Sequence, residues 1–514
     1  MTRHLAAKET AGIRYAPAAS VPLRTLTASL VALFALDNVL LLRLLGGSPA
    51  LVTALALIVP PLLAGIAYRF MPGACRIGLS TILFCLAVAA ILLLLGGEGR
   101  LFFAPADWQV RDAVLADMGT HRWPFDYWLD GHSQLLRAPV GMYLLPALWG
   151  GASQVGRDWT LFAHNCLFLG LLLAQGSALF DTRRSRLIAL AVFVAFSGLD
   201  VVGNLLVQLT NGEARWDHIE DWADGYQYSA HITQIFWVPQ HAIAGWAVAL
   251  TYLLWQRKLA PVGLFAATLP LVALWSPLIL FGALPFALFA GLRALWTKGW
   301  SWRDVALPAI ATLVAIPALA YLSSGATAIG GGLRPPKAIV YVLLMLFEVI
   351  PFLLPLLRDP DNRVDKPTIL ISGACLFLMP SWSMGMFNDF QTRASIMPLA
   401  LMAVAFGDWA GRIDDRRTRL CFLTILLLGA VTGGIGIANA LRLPPSPVPH
   451  CSVAGVWDRQ TNLSAPHNAY FADRAAFPFP IHPVDHVSRV NPATCWDRPW
   501  PAAIATAEAR QARP

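Results

Sequence analysis

Charge is scarce in this chain of 514 residues. Asp, Glu, Lys and Arg make up 13% of it, about half the share usual in a soluble protein. With 57% apolar residues beside so little charge, a soluble domain could not cover its surface. Disorder is excluded as well, because disordered chains are polar and poor in aromatics, whereas this one carries 19 Trp and 26 Phe. The alternating segments of an outer-membrane barrel, about ten residues each, are missing. So are Cys pairs at metal-binding spacing, heptads, soluble-domain repeats and low-complexity tracts. No basic block interleaved with aromatics occurs, so the formal charge of +8 points away from nucleic acid and toward loops that orient a membrane protein.

What is present is a series of apolar runs. They lie near 25–45, 50–70, 76–96, 158–180, 187–207, 234–255, 259–275, 276–292, 304–322, 338–357, 367–386, 394–411 and 420–441. Each is long enough to cross roughly 30 Å of hydrocarbon, the shorter ones standing upright. The expected fold is therefore an all-α polytopic transmembrane bundle of about 13 spans. Residues 1–24 form a cytoplasmic lead, 25–442 the transmembrane domain, and 443–514 a Pro-rich tail. No cleavable signal is expected, since no small-residue site follows a short apolar core. The basic loops Arg183-Arg184-Arg186, Arg257-Lys258, Arg293/Lys298/Arg303, Arg358/Arg363/Lys366 and Arg412/Arg416/Arg417/Arg419 place the N-terminus in the cytoplasm. The stretches 97–138, 208–233, 323–337 and 387–393 and the tail then face the periplasm or exterior, for a bacterial inner membrane. The short apolar segment 139–152 is either a half-helix or a further span.

Five Cys (Cys75, Cys85, Cys166, Cys375 and Cys421) lie in or beside apolar runs and read as small packing residues. Cys451 and Cys495 are the two in polar sequence, on the side that permits disulfides, and are expected to pair.

The chemistry is carried by the loops. Pro105–Met118 has a helix start at Asp107 and an Asp107/Arg111 pair one turn apart. It reads as an amphipathic helix on the membrane surface, with Asp107 either a cap or a carboxylate offered to a membrane-bound substrate. His121–Arg137 sets Arg122, Asp126, Asp130, His132 and Arg137 among aromatics, as interface anchors do and as carbohydrate sites do. Asn211–His241 holds Glu213, Asp217, His218, Glu220, Asp221, Asp224, His231 and His241. Its acids are a solvated loop, partners for Arg residues, or oxygen ligands for a divalent cation, with Asp217, Glu220, Asp221 and Asp224 as the metal candidates. No cofactor other than such a cation is expected. Ser323–Lys337 is Gly-rich but lacks the GK[ST] ending of a nucleotide loop; Arg334 and Lys337 follow it, as a phosphate clasp or as lipid-headgroup contacts. Ser381–Pro398 carries a second one-turn pair, Asp389/Arg393, at the end of a span.

In this order the layout resembles the GT-C superfamily of membrane glycosyltransferases. A span leads to a loop with an early acid, Asp107. The segment PVGMYLLPALWG returns to the membrane, a linker carries Arg157, and the next span ends in Phe180-Asp181-Thr182-Arg183-Arg184. The likeness covers roughly residues 80–410. It departs in having two extra spans at the front and in placing Trp108, not a second acid, after Asp107. The resemblance implies sugar transfer from a polyprenyl-phosphate donor to a cell-envelope glycan, lipid or protein acceptor. Asp107 would act as base, and Arg111, Arg334, Lys337 and Arg393 would be phosphate candidates. Arg122, Asp126, Asp130, His132, Arg137, His218, Glu220, Asp221, His241 and Asp389 complete the substrate-binding candidates. The partners implied are membrane lipids, the donor and the acceptor. The alternatives are a transporter or flippase of lipid-linked sugars, suggested by Asp37, Asp200 and Glu348 in or near spans, and an oligosaccharide ligase or polymerase.

Overall fold

The computed structural model describes residues 19–211, 216, 218–385, 388–461, 467–487 and 495–501. Among them, eight helices are long and apolar enough to cross a membrane: Leu23–Leu44, Pro49–Phe70, Gln154–Leu179, Arg183–Thr210, Ile279–Trp296, Arg303–Ser323, Ala338–Arg358 and Arg416–Arg442. Leu79–Leu95, Val262–Val272 and Lys366–Ser381 are shorter apolar helices. The protein is thus a multi-pass helical membrane protein. Eight is fewer than the 13 apolar runs because most of the others fold as helices of fewer than 18 residues, Ile396–Ala410 with 15 among them, and Pro239–Gln256 carries polar residues at both ends. Pro239–Gln256 and Ile396–Ala410 are almost wholly buried against other helices. An apolar run enclosed by protein on every side gives the same hydropathy signal as one that faces lipid. The peripheral helices Pro49–Phe70 and Arg416–Arg442 instead expose Leu57, Ile58, Leu62, Leu420 and Leu427.

Helix starts follow local chemistry. Ser48 accepts from Leu51 N at 3.3 Å, ahead of Pro49 at the first helical position. Asp415 caps its helix through Thr418 N at 2.8 Å. Inside the bundle, polar groups find partners across helices, as burial in hydrocarbon demands. Thr27 donates to Gln175 at 2.7 Å, Trp275 Nε1 to Asp37 at 2.9 Å, and Asn38 to the Leu271 carbonyl at 2.8 Å.

The segment 139–152 resolves as a helix of ten residues, Gly141–Gly150, about 15 Å long and too short to span. Its first residue is pressed on the Leu274–Trp275 turn. Gly141 N donates to Leu274 O at 3.1 Å, and a Cβ at Gly141 would come within 2.2 Å of the Trp275 ring.

Two expectations change at the loop end of the bundle. The first loop and the tail are not separate units. Strands Phe125–Leu129 and His132–Leu136 form a hairpin, and the tail strands Phe471–Asp473 and Asp485–Val487 add to its two edges. The hairpin turns at Asp130 (φ 53°) and Gly131 (φ 80°), the paired left-handed conformations of a tight turn that Asp-Gly favours. The helix Trp108–Thr120 does not lie on a surface; most of its residues are buried. The tail helix Val453–Gln460 packs on it, and Asp117 accepts from Val453 N at 2.9 Å and from Tyr127 at 2.8 Å. Cys451 and Cys495 are joined by a disulfide. The Gly-rich loop pairs Gly331–Leu333 with Trp382–Met384 as a small antiparallel two-stranded sheet.

Candidate functional site

The helix Trp108–Thr120 is pinned from behind by buried charge. Arg100 pairs with Asp112 at 3.0 Å and with Asp158 at 2.6 Å. Glu98, almost fully buried, accepts from Asn165 at 2.8 Å. Burial pushes the Glu98 carboxyl up to about 8, against the Asn165 hydrogen bond and with help from Asp112. Asp112 is likewise pushed up to about 7 by burial, with Arg100 opposing.

Glu98 gives a pH test. The folded state holds a proton on Glu98 that the unfolded chain releases near pH 4.5, so this neutral acid contributes stability below that pH and loses it as pH rises toward 8. Glu98→Gln keeps the shape without the proton. Its Tm should gain on wild type by several degrees between pH 5 and pH 8, read by thermal unfolding in detergent. Parallel curves for the two proteins would rule out the buried-proton account.

At the front of the same helix, Asp107 sits at the cap position, yet its side chain makes no cap hydrogen bond. It turns instead to Arg111, at 3.0 Å. Arg111 is buried and also donates from Nε to the Trp237 carbonyl at 2.8 Å, with Tyr143 of the half-helix alongside. Arg111 is therefore fixed from three elements, and Asp107 keeps an accessible edge, 36% of its side chain.

The second one-turn pair arrives from the far end of the chain. Asn388, in the left-handed conformation at φ 53°, opens the short helix Asp389–Ala394. Gly385 (φ 77°) lies against the Asp389 carboxylate; a Cβ there would meet Asp389 Oδ2 at 2.5 Å. Arg393 bonds Asp389 at 3.3 Å, and 39% of the Asp389 side chain is accessible. The short helix is seated on Gly282, where a Cβ would fall 1.9 Å from the Ala394 carbonyl. Despite its accessible edge, desolvation by surrounding protein raises the Asp389 carboxyl above its usual range. Arg393 opposes the rise, Asp107 adds to it, and Arg111 again opposes it.

These interactions put the two Asp–Arg pairs within electrostatic reach of each other. Tyr470 from the tail is close enough to feel Asp107, Arg111, Asp389 and Tyr143, and His241 is close enough to feel Arg393 and Arg111. His241 is held by Ser276 at 2.7 Å. The His218 ring lies tilted against that of Trp237, their centroids 4.9 Å apart. The result is two partly open carboxylates and two held guanidiniums, ringed by phenols and an imidazole. Such a set can take a proton from a hydroxyl at one point and hold an anionic group at another. Tyr143, Trp237 and Tyr470 were not singled out by sequence. Tyr143 lies in the short apolar segment that attracted notice, but nothing local marks Tyr470.

The remaining candidates lie elsewhere. Asp126 is buried in the sheet between Ser133 and His486. Asp130 makes the hairpin turn and faces His467 at 3.6 Å, and His132 is exposed where its strand begins. Arg137 ties the sheet to the tail by donating to the Asn468 carbonyl. Arg122 lies near the far end of the helix Trp108–Thr120. Arg334 is held by its backbone, to Ser381 O at 2.8 Å and Tyr226 OH at 3.0 Å. Lys337 is exposed and 3.9 Å from Asp224.

The metal candidates are dispersed among the described residues. Among the described residues no group of three or more His, Cys, Asp or Glu is arranged to hold a metal ion. Glu220 is turned inward, where it accepts from Ala230 N at 2.9 Å, and burial pushes its carboxyl up to about 8. Asp221 lies in the turn Ile219–Trp222, and Asp224 faces Lys337. Glu213 and Asp217 fall outside the described residues. Comparison with known protein families, curated proteins and solved structures finds no match to this chain.

Proposed function

We propose that this protein is an integral membrane glycosyltransferase of the GT-C kind, moving a sugar from a polyprenyl-phosphate donor to a cell-envelope glycan, lipid or protein acceptor. The single observation that carries this reading is the convergence of Asp107/Arg111 with Asp389/Arg393, two pairs marked independently in the sequence and 282 residues apart. The reading includes 13 spans in a bacterial inner membrane, the N-terminus in the cytoplasm, and the site facing outward.

In the reaction, Asp107 takes the proton of the acceptor hydroxyl as its oxygen bonds the anomeric carbon. The anomeric carbon–oxygen bond to phosphate breaks, and the lipid phosphate leaves with the electron pair. Arg111 and Arg393 hold the charge that develops on it. A phosphate is already a good leaving group, so one base and two cations suffice.

The test uses the full chain in nanodiscs with a panel of synthetic polyprenyl-phosphate hexoses and pentoses and an envelope extract as acceptor. Release of polyprenyl phosphate with labelled acceptor supports the reading. Arg393→Ala should weaken donor binding about 10–150-fold, the cost of a charge-assisted hydrogen bond. Movement of lipid-linked sugar between leaflets without bond cleavage would favour the transporter reading instead. One observation gives that alternative its weight. Asp200 and Glu348 are buried together where the helix breaks between Ala195 and Asp200 and a π-turn runs over Met345–Val349.

A further inference from the structure

A cleft of about 770 Å³ opens at the other end of the helix Trp108–Thr120, within the size range of small-ligand sites. Twelve residues of helix separate Gly119 in its wall from Asp107, about 18 Å, so this is not the cluster described above. Its walls come from four places: the turn between helices Leu23–Leu44 and Pro49–Phe70, the residues just after Thr120, the end of the half-helix, and the tail at 480–484.

The lining is electrostatically one-sided. Arg43, Arg122, His121 and His482 line it with the Ser48 hydroxyl, and no Asp or Glu does. Asp485, outside the lining, accepts from Arg122 N at 3.0 Å and faces His121 Nδ1 at 3.3 Å, which fixes the backbone at Arg122 without engaging its guanidinium. Arg43 is anchored by donating to the Trp123 carbonyl at 3.0 Å. The exposed Arg122 side chain makes no hydrogen bond or ion pair among the described residues. Two guanidiniums in a cleft lined by no acid favour an anion with several acceptor oxygens. Because the cleft abuts the turn joining two membrane-spanning helices, it lies at headgroup level, where phosphates are concentrated.

We infer that this cleft is a second binding site, for a phosphate-bearing group, held by Arg122 and Arg43 with His121, His482 and Ser48 around it. The phosphate arrives on a membrane lipid headgroup or on a water-soluble molecule. The inference does not depend on sugar transfer, because binding alone is read.

The test uses the full chain in two arms. Phosphatidylglycerol at 10 mol% in phosphatidylcholine nanodiscs is scored by native mass spectrometry of retained lipid. Glycerol 1-phosphate is titrated against protein in phosphatidylcholine alone. Retention of phosphatidylglycerol identifies a lipid source, and saturable binding of glycerol 1-phosphate identifies a soluble one. In either arm Arg122→Glu should lower binding at least tenfold and His482→Gln by less; both residues are at the surface, so folding is preserved. Binding of neither probe, or binding that Arg122→Glu leaves unchanged, overturns the site.

Discussion

Replacing Asp107 with Asn should leave the protein inserted and able to bind donor, yet slow sugar transfer by about 10²–10⁴-fold, the range for removal of a general base. The structure sharpens this experiment. Asn is as good a helix cap as Asp, so a capping role would survive the substitution. The Asp107 side chain makes no cap bond and is spent on Arg111. Arg111 in turn keeps its bond to the Trp237 carbonyl, and the Asn side-chain oxygen can still accept from it, so the main loss in the variant is the proton acceptor. Initial rates at saturating donor decide it. Should the variant transfer sugar at the wild-type rate, the base is Asp389, the other open carboxylate, and Asp389→Asn carries the loss. Full activity in both variants would end the mechanism.

The second large effect is expected from the disulfide. Cys451 and Cys495 are 44 residues apart, and closing a loop of that length removes about 4 kcal/mol of chain entropy from the unfolded tail. That is a large part of the roughly 5–15 kcal/mol that hold a domain folded. The loop contains the helix Val453–Gln460, which packs on the helix bearing Asp107, and it contains Tyr470 at the edge of the cluster. Reduction, or the Cys451→Ser/Cys495→Ser pair, should therefore free the tail to protease and lower transfer together. Limited proteolysis with and without reductant, followed by activity, measures both. Identical cleavage patterns and rates would show that packing alone holds the tail.

How much of the site was legible depends on the range of the signal. Asp107/Arg111 and Asp389/Arg393 stand out because residues one helical turn apart must face each other, a rule that needs no tertiary structure. His241 was marked only as one acid–base group in a loop full of them. Tyr143, Trp237 and Tyr470 gave no local signal, since an aromatic at a membrane boundary is ordinary. Asp126 and Arg137 looked like site residues but serve the sheet. The hairpin that places them is signalled by Asp130-Gly131, a turn pair that stands out less than the long apolar runs around it.

Composition and hydropathy alone determined that this is a helical membrane protein, because lipid tolerates few charges and demands internally bonded backbone. They also isolated two Cys in polar sequence and two one-turn ion pairs. Only the tertiary structure decided which apolar runs are enclosed by protein. It alone joined the tail to the first loop as one sheet and brought residues 107–111 and 389–393 together. The reason is the same in each case. Hydropathy and helical spacing are properties of a few neighbouring residues, whereas strand pairing and helix packing are set by surfaces hundreds of residues apart. At two such meetings a missing side chain lets the backbone close, Gly141 against Trp275 and Gly282 against Ala394.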